Sequence, residues 1–294
     1  MNKEWFNEEW IVEVKEKEQR LFKFLEVRNL DGIVIGRQDN FAWITGGGES
    51  RVLWNSEMGF SYLYITYEKK LCISLVADGS RAMDDILTPL GYEYEPLRWF
   101  EKSKEQKLTE LIKGKRVISD FLLEGAKFDL KDIYKLHYPL TNNEILKCRW
   151  LGRRTEEILS KTVLVLEPGM TEVEIQGILM GEYGKYDIAP SVMLIGSDER
   201  ALKYRHPVPS NKRVEKYILM SPAVRKWGLH ANVARSVHFG EIPETLINKH
   251  EACNNIAAHC LSMCQEGTYF KDILATQKEL YKKLGYENEW QNHF

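Results

Sequence analysis

The chain has 294 residues, with 41 Lys and Arg against 43 Asp and Glu for a formal charge of −2. Hydrophobic residues make up 44% and charged residues 29%, an ordinary globular balance in a chain long enough for two domains. The near-neutral charge gives no electrostatic footing for nucleic acid or an anionic membrane. No apolar run approaches the ~20 residues of a membrane span, and the N-terminal stretch MNKEWFNEEW lacks the apolar core of a signal peptide. Five cysteines, an odd number without scaffold spacing, read as reduced thiols of a cytoplasmic protein.

In chain order, Trp10, Val14, Leu21, Phe24, Leu25 and Leu30 recur at helical spacing and predict a long helix from about Glu4 to Asn29, stopped by Asp31-Gly32. Ile33-Val34-Ile35 reads as a buried strand, and Asn40–Thr45 as a short element that runs into Gly46-Gly47-Gly48. The three glycines lack the Gly-Lys-Ser/Thr ending of a phosphate loop and read as a flexible turn. Tyr62–Ile65 and Leu71–Val76 form a hairpin around Tyr67–Lys70. A helix over 80–90, a strand over 92–97, a helix over 102–112, a strand over 116–119 and a helix over 128–136 follow. This alternation predicts an α/β first domain, residues 1–139.

The second domain, 140–294, opens with a helix. Thr141 and Glu144 have capping-box spacing, as do Thr171 and Glu174 after the turn Glu167-Pro168-Gly169. A strand over 189–196 leads to His206-Pro207. Lys216–Met220 is a buried strand, Trp227-Gly228 a turn, and Leu229–His238 alternates as a strand. Its two faces are Leu229, Ala231, Val233, Arg235 and Val237, and His230, Asn232, Ala234, Ser236 and His238. Helices over 244–264 and 269–284 close the chain, so a helix–helix pattern occurs twice. Cys253, Cys260 and Cys264 share one helix face and read as buried small hydrophobes.

The stretch from Tyr204 to Gly240, with the Pro-Gly-x-Thr-Glu turn at Pro168–Glu172, resembles the pita-bread metallopeptidases: methionine aminopeptidase, Xaa-Pro aminopeptidase, prolidase and their relative creatinase. The Asn40-Phe41-x-Trp43-x-Thr45-Gly46 stretch resembles the N-terminal domain of creatinase and prolidase. The resemblance implies an α/β creatinase-like N-terminal domain followed by an α+β pita-bread domain, with a homodimer as the assembly. In that family a His precedes a hairpin carrying two metal-binding Asp residues eleven positions apart. Here His206-Pro207 matches the His, and Ser221 and Asn232 stand at the two Asp positions.

The family completes its site with a further His and two Glu. His293 falls near the place of that His, and the sequence stops at Phe294 with no place for the two Glu, so the pita-bread domain reads as incomplete at its C-terminus. Two carboxylates per site both ligate and offset the charge of two divalent metals; a serine hydroxyl and an asparagine amide do neither well. The expected protein is therefore a degenerate member that carries no metal or other cofactor and binds a small peptide or amino-acid-like ligand. His206 is its candidate acid/base, and Ser221, His230, Asn232 and His293 are its candidate binding residues. The alternatives are a metal-free hydrolase of creatinase type, an Xaa-Pro dipeptidase whose missing ligands come from elsewhere (with Mn, Co or Zn), and a structural or interaction protein. No Ser-His-Asp or Cys-His arrangement and no G-x-S-x-G elbow is present.

Overall fold

A computed structural model describes residues 5–53 and 55–292. The chain forms two compact units. The first takes in the chain through Ile158 with Glu182–Ser191 and Ala223–Val233. The second takes in Leu159–Gly181, Val192–Pro222 and the chain from Ala234 onward.

The first unit opens with α1 (Glu8–Val27), capped by Asn7, whose side chain accepts from the Trp10 amide. The elements that follow are β1 (Gly32–Arg37), α2 (Gln38–Ile44), β2 (Met58–Thr66), β3 (Lys70–Leu75), α3 (Val76–Ala82), β4 (Glu93–Leu97), α4 (Lys104–Leu111), β5 (Val117–Ser119), β6 (Lys127–Phe128) and α5 (Leu130–Tyr134). The strands make one sheet in the order β4-β3-β2-β1-β5-β6. The hairpin contacts β1–β2 and β2–β3 are antiparallel, and β3–β4, β1–β5 and β5–β6 are parallel.

Both faces of this sheet are covered, which is why β1 is apolar without alternation. Ile33 and Ile35 pack with Trp10, Leu21, Leu25 and Phe41 on one side. Val34 packs with Tyr64, Ile73 and Leu108 on the other. The Asn40–Thr45 stretch is thus helical, and the glycines after it are a packed corner. Gly46 and Gly47 have φ of 62° and 102°, and both are buried. The expected helix over 80–90 is instead a short α3 followed by a π turn and a 3₁₀ turn, the latter with Pro89 in its first turn and Gly91 as a left-handed stop.

α6 (Asn142–Val163) begins at the predicted capping box: the Thr141 amide donates to Glu144 at 2.8 Å and the Glu144 amide to Thr141 Oγ1 at 3.1 Å. Its first turns meet α1 through charges rather than apolar side chains. Glu13 lies between Lys17 at 2.6 Å and Lys147 at 2.7 Å, Lys17 also pairs with Glu144 at 2.7 Å, and every one of these side chains is buried. Asn143 donates to Glu13, and Lys147 donates to the Gly46 carbonyl at 2.9 Å. Glu13 and Lys17 stand among the charged residues of α1. They are buried because each finds a partner of opposite charge on another element.

The chain continues through α7 (Glu172–Gly184), β7 (Ala189–Ser197), α8 (Asp198–Lys203), β8 (Tyr217–Lys226), β9 (Leu229–Asn232), β10 (Arg235–His238), α9 (Glu244–Ser262) and α10 (Phe270–Lys283). The second capping box forms as expected, Thr171 and Glu174 exchanging bonds at 2.7 and 3.1 Å. The second sheet runs β10-β8-β7, with β9 also on β8. The single alternating strand expected over 229–238 is interrupted at Val233-Ala234. β8 carries Pro222 between its two paired stretches, and proline has no N–H to give a ladder. On α9 only Ala252 and Ile256 are buried, an i, i+4 pair. Cys253 and Cys264 are exposed and Cys260 half-buried, so the cysteines do not form the expected core face.

Candidate functional site

The hairpin that carries three of the candidate residues is built by alternation and one tight turn. Along β8, Ile218, Met220 and Val224 are fully buried, whereas Leu219, Ser221, Ala223 and Arg225 are half-exposed. The ten-residue strand is longer than the apolar run Lys216–Met220 suggests, because past Pro222 only one of its faces is apolar. Lys226 pairs with Leu229 across Trp227-Gly228, whose φ values of 57° and 76° make a two-residue type I′ turn. Glycine suits its position. Tryptophan does not, and it is held there by packing. A side-chain carbon on Gly47 would sit 2.8 Å from Trp227 Cβ, and one on Gly228 would sit 2.7 Å from Ala42 Cβ. The corner therefore closes only without side chains at both glycines.

In the first unit the register sets His230 opposite Arg225 and Asn232 opposite Ala223, on one face of the β8–β9 ladder. Ser221 lies on the part of β8 that belongs to the second unit, half-exposed. None of the three side chains makes a hydrogen bond or ion pair within the described residues. His230 titrates below the ordinary histidine value. Partial burial is the main cause and the Arg225 guanidinium adds to it, with Asp39 opposing. Burial likewise lowers Arg225, whose Nε is enclosed without a hydrogen-bond partner. Arg235 pairs with Met220, a fully buried position, and so belongs to the opposite face, as its place in the alternation predicts.

In the second unit, His206 sits on the loop between α8 and β8, exposed, while Pro207 after it is buried. The loop is braced from two sides. The Ile195 amide donates to the Pro207 carbonyl at 3.0 Å, and a side chain on Gly196 would meet the Pro207 ring at 2.7 Å. Glu172, fully buried, accepts from the amide and hydroxyl of Ser197, the amide and hydroxyl of Ser210, and Arg200 Nε at 2.7–3.1 Å. Burial opposes its ionisation, yet these donors hold it below the usual glutamate value. Asp198, with φ 48°, accepts from the amides of Glu215, Lys216 and Tyr217, each at 2.9 Å. The turn motif Thr171-Glu172 thus fixes the segment that presents His206. The motif is legible in the sequence as a signature, and the structure adds Glu172 as the loop's anchor.

His293 lies outside the described residues, so its candidacy gains no structural account. Among the described residues, no group of three or more His, Cys, Asp or Glu side chains is arranged to hold a metal ion, and no helix is long and apolar enough to cross a membrane. A cavity of about 400 Å³ in the first unit is lined by Arg51, Arg81, Lys226, Glu49, Asp85 and Asp187. Its charges largely compensate one another, with Arg51 on Glu49 at 2.5 Å and Lys226 on Asp187 at 3.1 Å. His238 is half-buried, and its Nδ1 is enclosed without a partner.

Comparison with known proteins places this architecture. No curated protein matches the sequence. Among solved structures, the prolidase from Pyrococcus horikoshii aligns with a TM-score of 0.75 at 15% identity, over 92% of this chain and 79% of its own. The X-Pro aminopeptidase from Thermotoga maritima aligns at 0.73 and 17% identity, over 92% and 78%. The Xaa-Pro dipeptidase from Bacillus anthracis aligns at 0.72 and 15%, over 93% and 79%. At such identities the likeness is one of fold, and that fold is the pita-bread architecture. The model of metallopeptidase family M24 matches residues 147–294, half of the chain, and the chain therefore belongs to family M24.

Proposed function

We propose that this chain is an M24 protein whose metallopeptidase site is degenerate, and that it binds a small peptide or amino-acid-like ligand without metal. The observation that carries the reading is the pair Ser221 and Asn232, which the family resemblance sets at its two metal-binding Asp positions, on the half-exposed face of β8 and on β9. The donor set does not fit two divalent cations. A neutral hydroxyl and an amide oxygen supply no charge compensation, and hard cations of this kind are held chiefly by carboxylates. What the residues offer instead is hydrogen bonding: in the first unit an amide from Asn232 and an imidazole from His230, and in the second a hydroxyl from Ser221. Such groups suit the carbonyl, amide and ammonium of a peptide.

A second reading, a metal-free hydrolase, is favoured by His206. Its ring is exposed and forms no bond within the described residues, on a loop that Glu172 and Asp198 fix from below. A positioned, unengaged imidazole is the minimum for acid–base chemistry near neutral pH.

The test is calorimetric titration of Ala-Pro, Gly-Pro and creatine into the protein in EDTA. The reading predicts saturable binding of at least one of them, weakened about tenfold by Asn232→Ala or His206→Ala, which is the size of one charge-assisted or well-placed hydrogen bond. Turnover in EDTA that His206→Ala abolishes would select the hydrolase. Binding that appears only after Mn²⁺ is added would overturn both readings.

A further inference from the structure

Two cavities on the second unit meet at a common wall formed by Tyr217, His238 and Leu246. One, of about 280 Å³, is bounded by Val237, Ile242 and Ile247 and opens beside His250 and Glu251. The other, of about 250 Å³, is bounded by Leu202, Pro243 and Thr245 and opens beside Lys249. Together they reach the small-molecule range of roughly 300–1,000 Å³. They lie at the far end of the hairpin from the turn, where Tyr217 pairs with His238 across the β8–β10 ladder, and neither His206 nor Ser221 lines them.

The walls are largely apolar, and His238 and Tyr217 line both cavities. His238 Nδ1 is enclosed and has no hydrogen-bond partner, although a buried polar atom normally has one. Tyr217 is already engaged, its hydroxyl 3.0 Å from Ser236 Oγ. Lys249, exposed on the smaller cavity, makes no ion pair within the described residues. The one carboxylate on that side, Asp198, is saturated by three backbone amides at 2.9 Å, with Lys212 3.7 Å away. Glu251 lies on the other cavity, so an anionic head is favoured at the Lys249 end and repelled at the opposite one.

We propose that this double cavity is a binding site for a small amphipathic carboxylate, an aryl- or alkyl-carboxylic acid. Its head lies at Lys249 beside the His238 ring, and its body crosses Leu246 toward Ile242 and Ile247. This site is independent of the peptide-like ligand proposed for the hairpin.

The probe is 3-phenylpropionate, titrated by ligand-observed NMR and calorimetry, with 3-phenylpropionamide and phenethylamine as neutral and cationic counterparts. The expected result is saturable binding of the carboxylate at least tenfold tighter than of either counterpart. Lys249→Met and His238→Phe should each weaken it about tenfold, equivalent to one charge-assisted hydrogen bond. Leu246→Trp, which fills the shared wall, should abolish it. Lys249 is exposed, so its variant keeps the fold even if the wall variants do not, and it alone decides the electrostatic claim. Carboxylate, amide and amine binding alike, binding untouched by Lys249→Met, or no binding up to about 10 mM would each overturn the proposal. His206→Ala should leave phenylpropionate binding unchanged, so failure here and failure of the peptide-ligand reading are separately visible.

Discussion

Glu172 shows how much one carboxylate can organise. It is fully buried and receives five donors from two segments, and those segments bracket the loop that carries His206. Removing the acceptor leaves buried amides and hydroxyls unpaired, which costs more than a net hydrogen bond. Glu172→Ala should destabilise the protein by about 2–4 kcal/mol in urea denaturation, and Glu172→Gln, which keeps one oxygen acceptor, by less. An equal and small effect of the two would contradict this anchoring role. Ser221 and Asn232 make the opposite point. Their side chains carry no structural bond in the described residues, so their identity is free to be set by a ligand. Ser221→Asp with Asn232→Asp therefore restores the family's two carboxylates without breaking a side-chain hydrogen bond among the described residues.

At the scale of elements, β1, α2 and the 130s helix enclose two titratable groups with opposite leanings. Burial pushes the Asp120 carboxyl up to about 6, despite bonds from the Gly36 and Arg37 amides and from Asn40. Burial pushes His137, stacked 4.9 Å from the Trp43 ring, down to about 4. Asp120 binds its proton more tightly folded than unfolded, so its contribution to stability falls as pH rises from about 4 to 6. His137 binds its proton less tightly folded, so its contribution is lost as pH falls from about 6.5 to 4. The two slopes oppose each other over one window, and the wild type should show little net pH dependence there. Asp120→Asn should expose the histidine slope, with melting temperature dropping on acidification. His137→Gln should expose the reverse, each amounting to about 2–3 kcal/mol across the window. Flat profiles in both variants would refute the assignment.

These elements also mark what the sequence could and could not tell. The hairpins, both capping boxes and the Trp227-Gly228 turn were legible, because local spacing and turn chemistry determine them. The charged seam of Glu13, Lys17 and Lys147 was not, since periodicity assigns charges to solvent and only a partner distant in sequence reverses that. The same holds for His238, whose enclosure depends on α9 lying beside β10, and for α2, where tertiary burial overrides a pattern too short to distinguish helix from strand. The cysteines erred the other way: Cys253 is exposed on α9, Cys260 half-buried, and Cys264 lies past the helix end.

At the scale of the whole molecule, family membership fixes the fold and leaves the chemistry to the site. The chain spans 79% of the length of the Bacillus anthracis dipeptidase and Pyrococcus horikoshii prolidase structures. It pairs that architecture with Ser221 and Asn232 at positions where the family resemblance calls for acids. The central claim is that this M24 protein does not work through a dinuclear metal centre. The most direct test is to incubate the protein with Mn²⁺, Co²⁺ or Zn²⁺, desalt it, and quantify bound metal alongside the melting temperature and hydrolysis of an Xaa-Pro dipeptide. The account predicts no stoichiometric metal, no metal-dependent rise in melting temperature and no metal-dependent hydrolysis. About two metals per chain, with a raised melting temperature and dipeptide cleavage, would contradict it.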